Sequence, residues 1–200
     1  NIGRIAYPAD IQSMSPKAVV RFPLNERALI GWGGDRLEMN YHVIKPNERW
    51  AYDILIPPAE VKSSKLEDYG IYGAKVMAPA SGTVVSINNN EQDLVPGSDN
   101  FQSMAGNHIY LRLDETGTFL ILAHLKKGSI NVREGQHVNE GEFLAQVGNS
   151  GSSSEPHLHI HHQRQDPSKV SMFFAEGLPL YFRTENGVMM PERGTYTSGN

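Results

Sequence analysis

The stretch Ser153-Ser154-Glu155-Pro156-His157-Leu158-His159-Ile160-His161-His162 holds four of the chain's eight histidines within six positions. Its alternation suits one backbone conformation. In a β-strand alternate side chains share a face, so His157, His159 and His161 fall on one side and Leu158 and Ile160 on the other. The apolar pair calls for a core behind the strand and the imidazoles for a cleft in front of it, with His162 directed away from the ligand face. Same-face neighbours stand roughly 7 Å apart, so neighbouring imidazoles can converge on one small ion or on water bound to it. Imidazole suits zinc, and a catalytic zinc has three protein ligands and one open position. Taken alone, the stretch equally describes a histidine-rich surface strand or a weak adventitious metal patch.

Composition narrows the classes. Two hundred residues make one domain with a real core. A net charge of -4 leaves no basic footprint for nucleic acid, and no apolar run reaches the length of a membrane span. The absence of cysteine rules out a thiol nucleophile, a thiolate metal site and disulfides. Any metal must therefore be held by His, Asp or Glu. The chain opens Asn1-Ile2-Gly3-Arg4 without a methionine or a signal-like segment, as expected of a mature or trimmed form, and its lack of cysteine fits an exported bacterial protein as well as many cytosolic ones.

Along the chain, Ala18 to Leu24 and Ala28 to Ile30 predict two short strands leading to the turn Gly31-Trp32-Gly33-Gly34-Asp35. Residues 40–56 place two apolar segments around Lys45-Pro46-Asn47, a hairpin or looped pair of strands that brings His42 back beside Asp53. Asp53 interrupts an apolar strand, where a carboxylate needs a salt bridge, a cap or a metal. His42 alone is as well explained by a plain hydrogen bond. Residues 57–74 form a surface loop, and Lys75 to Ile87 form strand, glycine turn and strand. Residues 88–106 form a long polar loop able to wall a cleft. Asn107 to Leu113 alternate, and Gly117 to Leu125 form a nearly continuous apolar strand carrying His124, a position that alone suits a structural histidine. Residues 127–151 repeat Val and Gly as small β-barrels with tight corners do. Asp166-Pro167-Ser168 predicts a short helix, with Met172, Phe173 and Phe174 as its packing residues. Leu178 to Arg183 predict a final strand, followed by a frayed tail. His108 and His137 are read as structural.

The ordered series Ala78-Pro79-Ala80-Ser81-Gly82-Thr83-Val84-Val85, Ala123-His124-Leu125, Val132 to Gly141, Gly148-Asn149-Ser150-Gly151 and Pro156-His157-Leu158-His159 resembles the M23 metallopeptidases, the lysostaphin-like and LytM-like cell-wall endopeptidases. The resemblance runs from about residue 40 to residue 162. It implies a mostly β fold, an antiparallel sandwich or barrel-like peptidase domain akin to lipoyl or hybrid motifs, with one short helix. On that basis residues 1–38 are N-terminal strands packed on the core, 39–178 the zinc peptidase domain, and 179–200 a C-terminal strand and tail. Carried over, the Zn2+ ligands are His42, Asp53 and His159. His124 and His157 line the open side of the metal, where they act on the attacking water and steady the oxyanion. The implied substrate is the peptide part of bacterial peptidoglycan, which places the chain outside the cytoplasm.

The chain departs from the family pattern in three places. The family sets its first His four positions before the Asp; here that position is Arg49 and the nearest histidine is His42, eleven positions before Asp53. Leu122 stands where a Tyr often precedes the Ala-His-Leu histidine. His161 stands where an acidic residue often follows the pair, as an outer partner or an alternative ligand. Two rival readings remain at this level. One is a non-catalytic relative serving as a binding or regulatory partner in wall or division machinery, which predicts loss of a ligand. The other is a lipoyl-type or phosphotransfer carrier, which lacks its exposed hairpin lysine here.

Overall fold

The alternation around His159 is realised as a strand at the centre of the largest sheet. The computed structural model of the chain describes residues 17–98 and 100–199; residues 1–16 of the expected N-terminal segment and the Phe173 side chain lie outside that set. Among the described residues there are fourteen strands: β1 (Ala18–Arg21), β2 (Ala28–Trp32), β3 (Tyr52–Leu55), β4 (Lys75–Met77), β5 (Gly82–Asn88), β6 (Asn107–Leu113), β7 (Phe119–Leu125), β8 (His137–Val138), β9 (Phe143–Gln146), β10 (Leu158–Gln163), β11 (Gly177–Leu178), β12 (Leu180–Thr184), β13 (Gly187–Met189) and β14 (Tyr196–Thr197). The main sheet runs β14-β2-β3-β10-β7-β6-β5-β8, with β11 added to the end of β10, and its pairings are antiparallel. β4 pairs with β9, and β12 pairs with β13 and, in parallel, with β1. This is the mostly β, mostly antiparallel fold expected from the sequence.

The two faces of the main sheet have different company. Leu158 and Ile160 of β10, Leu120 and Leu122 of β7, and Ile54 of β3 face one large core. There they meet Val76, Leu144 and Ala145 of the β4–β9 pair and Phe22, Leu180 and Phe182 around the β1–β12 pair. Each such side chain contributes about 1.5–3 kcal/mol by burial, so the apolar half of β10 fixes which half faces outward. Leu122 is part of that core, so its departure from the family's tyrosine falls behind the cleft. Helical structure is confined to short 3-10 turns, and no helix among the described residues is long and apolar enough to cross a membrane.

Three local expectations are corrected. Residues 41–44 form a 3-10 turn, not the first strand of a hairpin; only Tyr52–Leu55 is strand. Asp166 does accept hydrogen bonds from the Ser168 N–H and hydroxyl, but residues 167–169 form a turn and the expected helix is absent from these described residues. A separate 3-10 turn follows at Met172–Phe174, and Phe174 is 81% exposed, so it packs on nothing. The tail is not frayed: Tyr196 and Thr197 pair with Leu29 and Ala28, and buried Thr197 and Ser198 both donate to Glu185.

His162, on the rear of β10, is buried. Its Nδ1–H donates 3.0 Å to the Pro179 carbonyl, and Nε2 accepts from the Thr118 hydroxyl at 2.6 Å. Burial pushes its pKa down from 6.5 to about 4. Between those values the unfolded chain binds the proton and the folded chain does not, so stability falls as pH drops below 6.5 and the loss levels off below 4. Denaturation of wild type and His162→Gln across that range should show the wild type losing about 3 kcal/mol relative to the variant. Parallel profiles would show that His162 does not titrate this way.

Candidate metal centre

Asp53 lies on β3, whose four residues are all buried, directly opposite His159 on β10. Its Oδ1 is 2.9 Å from His159 Nδ1 and 3.6 Å from His157 Nε2, and its Oδ2 is 3.5 Å from His42 Nε2. Burial alone would raise the Asp53 carboxyl, but His157, His42 and His159 outweigh it and hold the group well below the carboxylate range. Tyr41 adds a hydroxyl donor to Oδ2 at 3.2 Å. Burial, reinforced by the Asp53 charge, raises the Tyr41 phenol and keeps that proton in place.

His42 reaches this point across eleven positions because of Asn40. The Asn40 amide nitrogen donates to the carbonyls of Gly34 (2.8 Å) and Ala51 (3.0 Å), drawing the two ends of the loop together. With both amide hydrogens committed, Oδ1 faces His42 and accepts from its backbone N–H at 3.2 Å and its ring Nδ1–H at 2.8 Å. The proton on Nδ1 leaves a lone pair on Nε2, the nitrogen that faces Asp53. Burial holds the ring neutral, with its pKa lowered to about 4.

A similar argument orders β10. Gln163 donates through Nε2 to the Gln165 carbonyl at 2.7 Å, so its Oε1 accepts from His161 Nε2–H at 3.1 Å. His161 Nδ1 must then accept from His159 Nε2–H at 2.9 Å. That leaves Nδ1 as the His159 nitrogen facing Asp53. Burial opposes charge on His159, but the Asp53 hydrogen bond and charge outweigh it and raise the pKa. With both nitrogens protonated, His159 bridges Asp53 and His161; losing the Nδ1 proton directs a lone pair at the point shared by Asp53 and His42. His161, lowered to about 3 by burial and by His159, stays neutral and serves as an acceptor.

Ligand atoms of His42, Asp53 and His159 lie within 4.8 Å of one another, and so do those of His124, His157 and His159. The first set fits a tetrahedral zinc. It offers two imidazole nitrogens with their tautomers fixed from behind and one carboxylate oxygen, and it leaves a fourth direction toward the cleft.

His124 is turned into the cleft by a bulge in the strand. Phe119, Ile121 and Ala123 share the front face of β7 and Leu120 and Leu122 the rear, so strict alternation would bury His124 in the core. Its φ of 59° marks a bulge between the Ile109–Leu122 and Asn107–Leu125 pairs, after which the strand resumes at Leu125. Within the bulge the His124 N–H donates to Ala105 at 3.0 Å, and its carbonyl accepts from Gly148 at 3.0 Å. The His124 Nδ1–H donates to the Ser150 carbonyl at 2.9 Å, and the His157 Nδ1–H donates to Glu155 at 2.8 Å. Each therefore keeps an unprotonated Nε2, and the two rings stand 4.6 Å apart. The glycines of the Gly148-Asn149-Ser150-Gly151 stretch have a role in this. A Cβ at Gly106 would meet the Ser150 carbonyl carbon at 2.4 Å, and one at Gly151 would meet Gly106 N at 2.4 Å. Only that close approach lets Ser150 present its carbonyl to His124.

The five residues expected from the sequence thus converge on a cleft of about 1040 Å³. His161 lies beside them, whereas His137 is an exposed partner of Asp114. His108 stacks on Tyr110 and donates to Gly106, yet it also lines the cleft. Among the described residues of the 88–106 loop, only Ser103 to Gly106 line it; Asp93 instead anchors the Asn149 N–H. Sequence reasoning passed over Asn40, Tyr41 and Gln163. The one available signal was position: two residues or fewer from a candidate histidine, with side chains able to donate or accept.

The profile of the family described as Peptidase family M23 matches residues 67–170, just over half of the chain. The match includes His124, His157 and His159 and begins after His42 and Asp53. Curated protein sequences give no match. Among solved structures, a putative peptidase M23 from Pseudomonas aeruginosa is 24% identical over 56% of this chain and 37% of that one, with a TM-score of 0.38. The catalytic domain of the antimicrobial peptidase lysostaphin from Staphylococcus simulans is 21% identical over 76% of this chain and 89% of that one, at 0.44. The SpoIIQ-SpoIIIAH pore forming complex is 14% identical over 86% and 87%, at 0.48. The chain spans well under half the length of the Pseudomonas protein.

Two measurements bear on the site. A left-handed conformation costs a residue with a Cβ roughly 1–2 kcal/mol, so His124→Gly should be more stable than His124→Ala by about 1 kcal/mol, the reverse of the usual order in a strand. A thermal scan in which Ala is the more stable would place His124 in ordinary extended backbone. Separately, Gln163→Leu removes the acceptor that orders His161 and His159, and zinc affinity measured by competition with a chelator should fall about 10–100-fold. Unchanged affinity would show that the order of protons along β10 does not matter to the metal.

Proposed function

The chain belongs to peptidase family M23, and on that footing we propose that it is a zinc-dependent endopeptidase acting on the peptide cross-links of bacterial peptidoglycan. The observation that carries this reading is the meeting of His42, Asp53 and His159 beside two imidazoles that both keep Nε2 open to the cleft. A non-catalytic relative would be expected to have lost a ligand; here the doubtful ligand, His42, stands 3.5 Å from Asp53 with the correct nitrogen forward. An extracytoplasmic location follows from the substrate proposed.

His42 Nε2, Asp53 and His159 Nδ1 would hold a zinc ion, which would supply Lewis acidity toward water and a peptide carbonyl. The rest is the work of the chain. His124 and His157 each hold a proton on Nδ1 against a backbone carbonyl, so Nε2 is the atom that takes a proton from the attacking water and returns it to the leaving amine. The one ring that carries this proton faces the oxyanion as a donor in the interval between taking it and returning it. The Ser150 and Glu155 carbonyls keep both rings from turning. Cleft walls of mixed character, with Leu55, Pro57 and Met104 beside Ser152 and Ser153, suit an extended peptide.

Elemental analysis of the purified chain should find about one zinc per chain. His42→Ala and Asp53→Asn should lose it, and with it the release of soluble peptides from peptidoglycan. Full zinc retention in His42→Ala would assign the ligand elsewhere, with His161 the nearest alternative. A chain that takes up no zinc when it is supplied would overturn the peptidase reading.

A further inference from the structure

Beyond Asp53 the cleft is walled by β2 and by the segment leading into β14, which lies outside the residues matched by the family. Trp32 is the cross-strand partner of Asp53, and its ring packs edge-on against Tyr41 at 5.1 Å. Arg193 lays its guanidinium over the Trp32 ring, 3.8 Å from the centroid. Arg193, Trp32, Tyr41 and Tyr196 all line the same cleft as the histidines. A guanidinium seated on an indole is held in place through its π face, while its N–H groups remain in its own plane, available to a carboxylate.

Two further features make this cation available and fixed. Among the described residues Arg193 has no carboxylate partner: the adjacent Glu192 is taken by Arg36 through contacts of 3.0 Å to both of its oxygens. The backbone on the other side is tied down, with Gly194 N–H donating to Ile30 at 2.8 Å and Ile30 N–H donating to Thr195 at 2.9 Å. The acidic side chains at the cleft rim, Glu60 and Glu155, sit together toward the opposite end of β3, where Glu155 accepts from the Glu60 N–H. Glu48, which also lines the cleft, is paired with Lys45 at 3.0 Å, and the guanidinium left unpaired among the described lining residues sits on Trp32, the cross-strand neighbour of Asp53.

We infer that Arg193, seated on Trp32, forms a carboxylate-binding subsite that selects peptide substrates bearing a free carboxylate close to the scissile bond. This deepens the peptidase reading and rests on it. A planar fork held in advance loses little freedom on binding, so its effect falls mainly on KM.

The test uses the full zinc-loaded chain and insoluble peptidoglycan in two forms, one with its peptide carboxylates free and one with them amidated by carbodiimide coupling with ammonia. Wild type should release peptides from the free form with kcat/KM about tenfold higher than from the amidated form, the size expected of one charge-assisted hydrogen bond at a partly exposed site. Arg193→Gln should bring the ratio close to one by raising KM on the free form, and Arg193→Lys should restore part of it. A ratio unchanged in Arg193→Gln, with zinc content and circular dichroism as in wild type, would overturn the subsite. If wild type digests neither form, the peptidase reading fails, and calorimetric binding of soluble peptidoglycan fragments, free and amidated, decides the subsite separately. Preference for the free fragments that is lost in Arg193→Gln upholds it, and equal binding of both overturns it.

Discussion

A carboxylate buried in a β-strand is the constraint on which the rest of this structure depends. Desolvating an ionised Asp costs several kcal/mol unless donors and cations surround it. Asp53 has donors in His159 across the strand pair and in the Tyr41 hydroxyl, while His157 and His42 hold Nε2 at 3.5–3.6 Å, where a cation shared with the carboxylate completes its surroundings. Remove any of these and the remaining charge is harder to keep at the centre of the main sheet. The strand order β2-β3-β10-β7 can be seen as the arrangement that lets one buried oxygen pair serve so many partners.

Around that charge the positions of protons are settled by groups that have no choice. Backbone carbonyls accept only, and so do amide oxygens whose nitrogens are already engaged. Asn40, Gln163, Ser150 and Glu155 thereby each fix one nitrogen of a neighbouring imidazole. His42, His124 and His157 are left with Nε2 forward, and His159 with Nδ1 forward. The site needs no rearrangement of protons at His42, and a single deprotonation at His159, to present a complete donor set to a divalent metal.

Much of this was legible in the sequence, for reasons that can be named. The period-2 alternation of Leu158 and Ile160 against three histidines specified both the strand and its two environments. An Asp inside Tyr52-Asp53-Ile54-Leu55 had to be compensated, which pointed to a partner. What could not be read lies where backbone geometry overrides pattern. Alternation along Phe119–Leu125 assigns His124 to the core, and only its left-handed φ turns it out. Residues 41–44 carry the composition of a strand, but Asn40 caps them into a 3-10 turn. The C-terminal residues look polar enough to fray, yet they find an open sheet edge at β2 that no local pattern announces. Asp166 and Pro167 open only a single hydrogen-bonded turn.

The pairing of β3 with β10 joins residues 106 positions apart, Asp53 with His159. Contacts of such separation carry a large loop-closure entropy and form late, after local hairpins such as β5–β6 and β6–β7 are in place. The centre therefore exists only once nearly the whole main sheet has assembled. A ribosome-bound chain presents scattered histidines and a lone aspartate, not yet brought together. The cluster of ligand atoms is thus withheld by chain order itself until synthesis has passed β10.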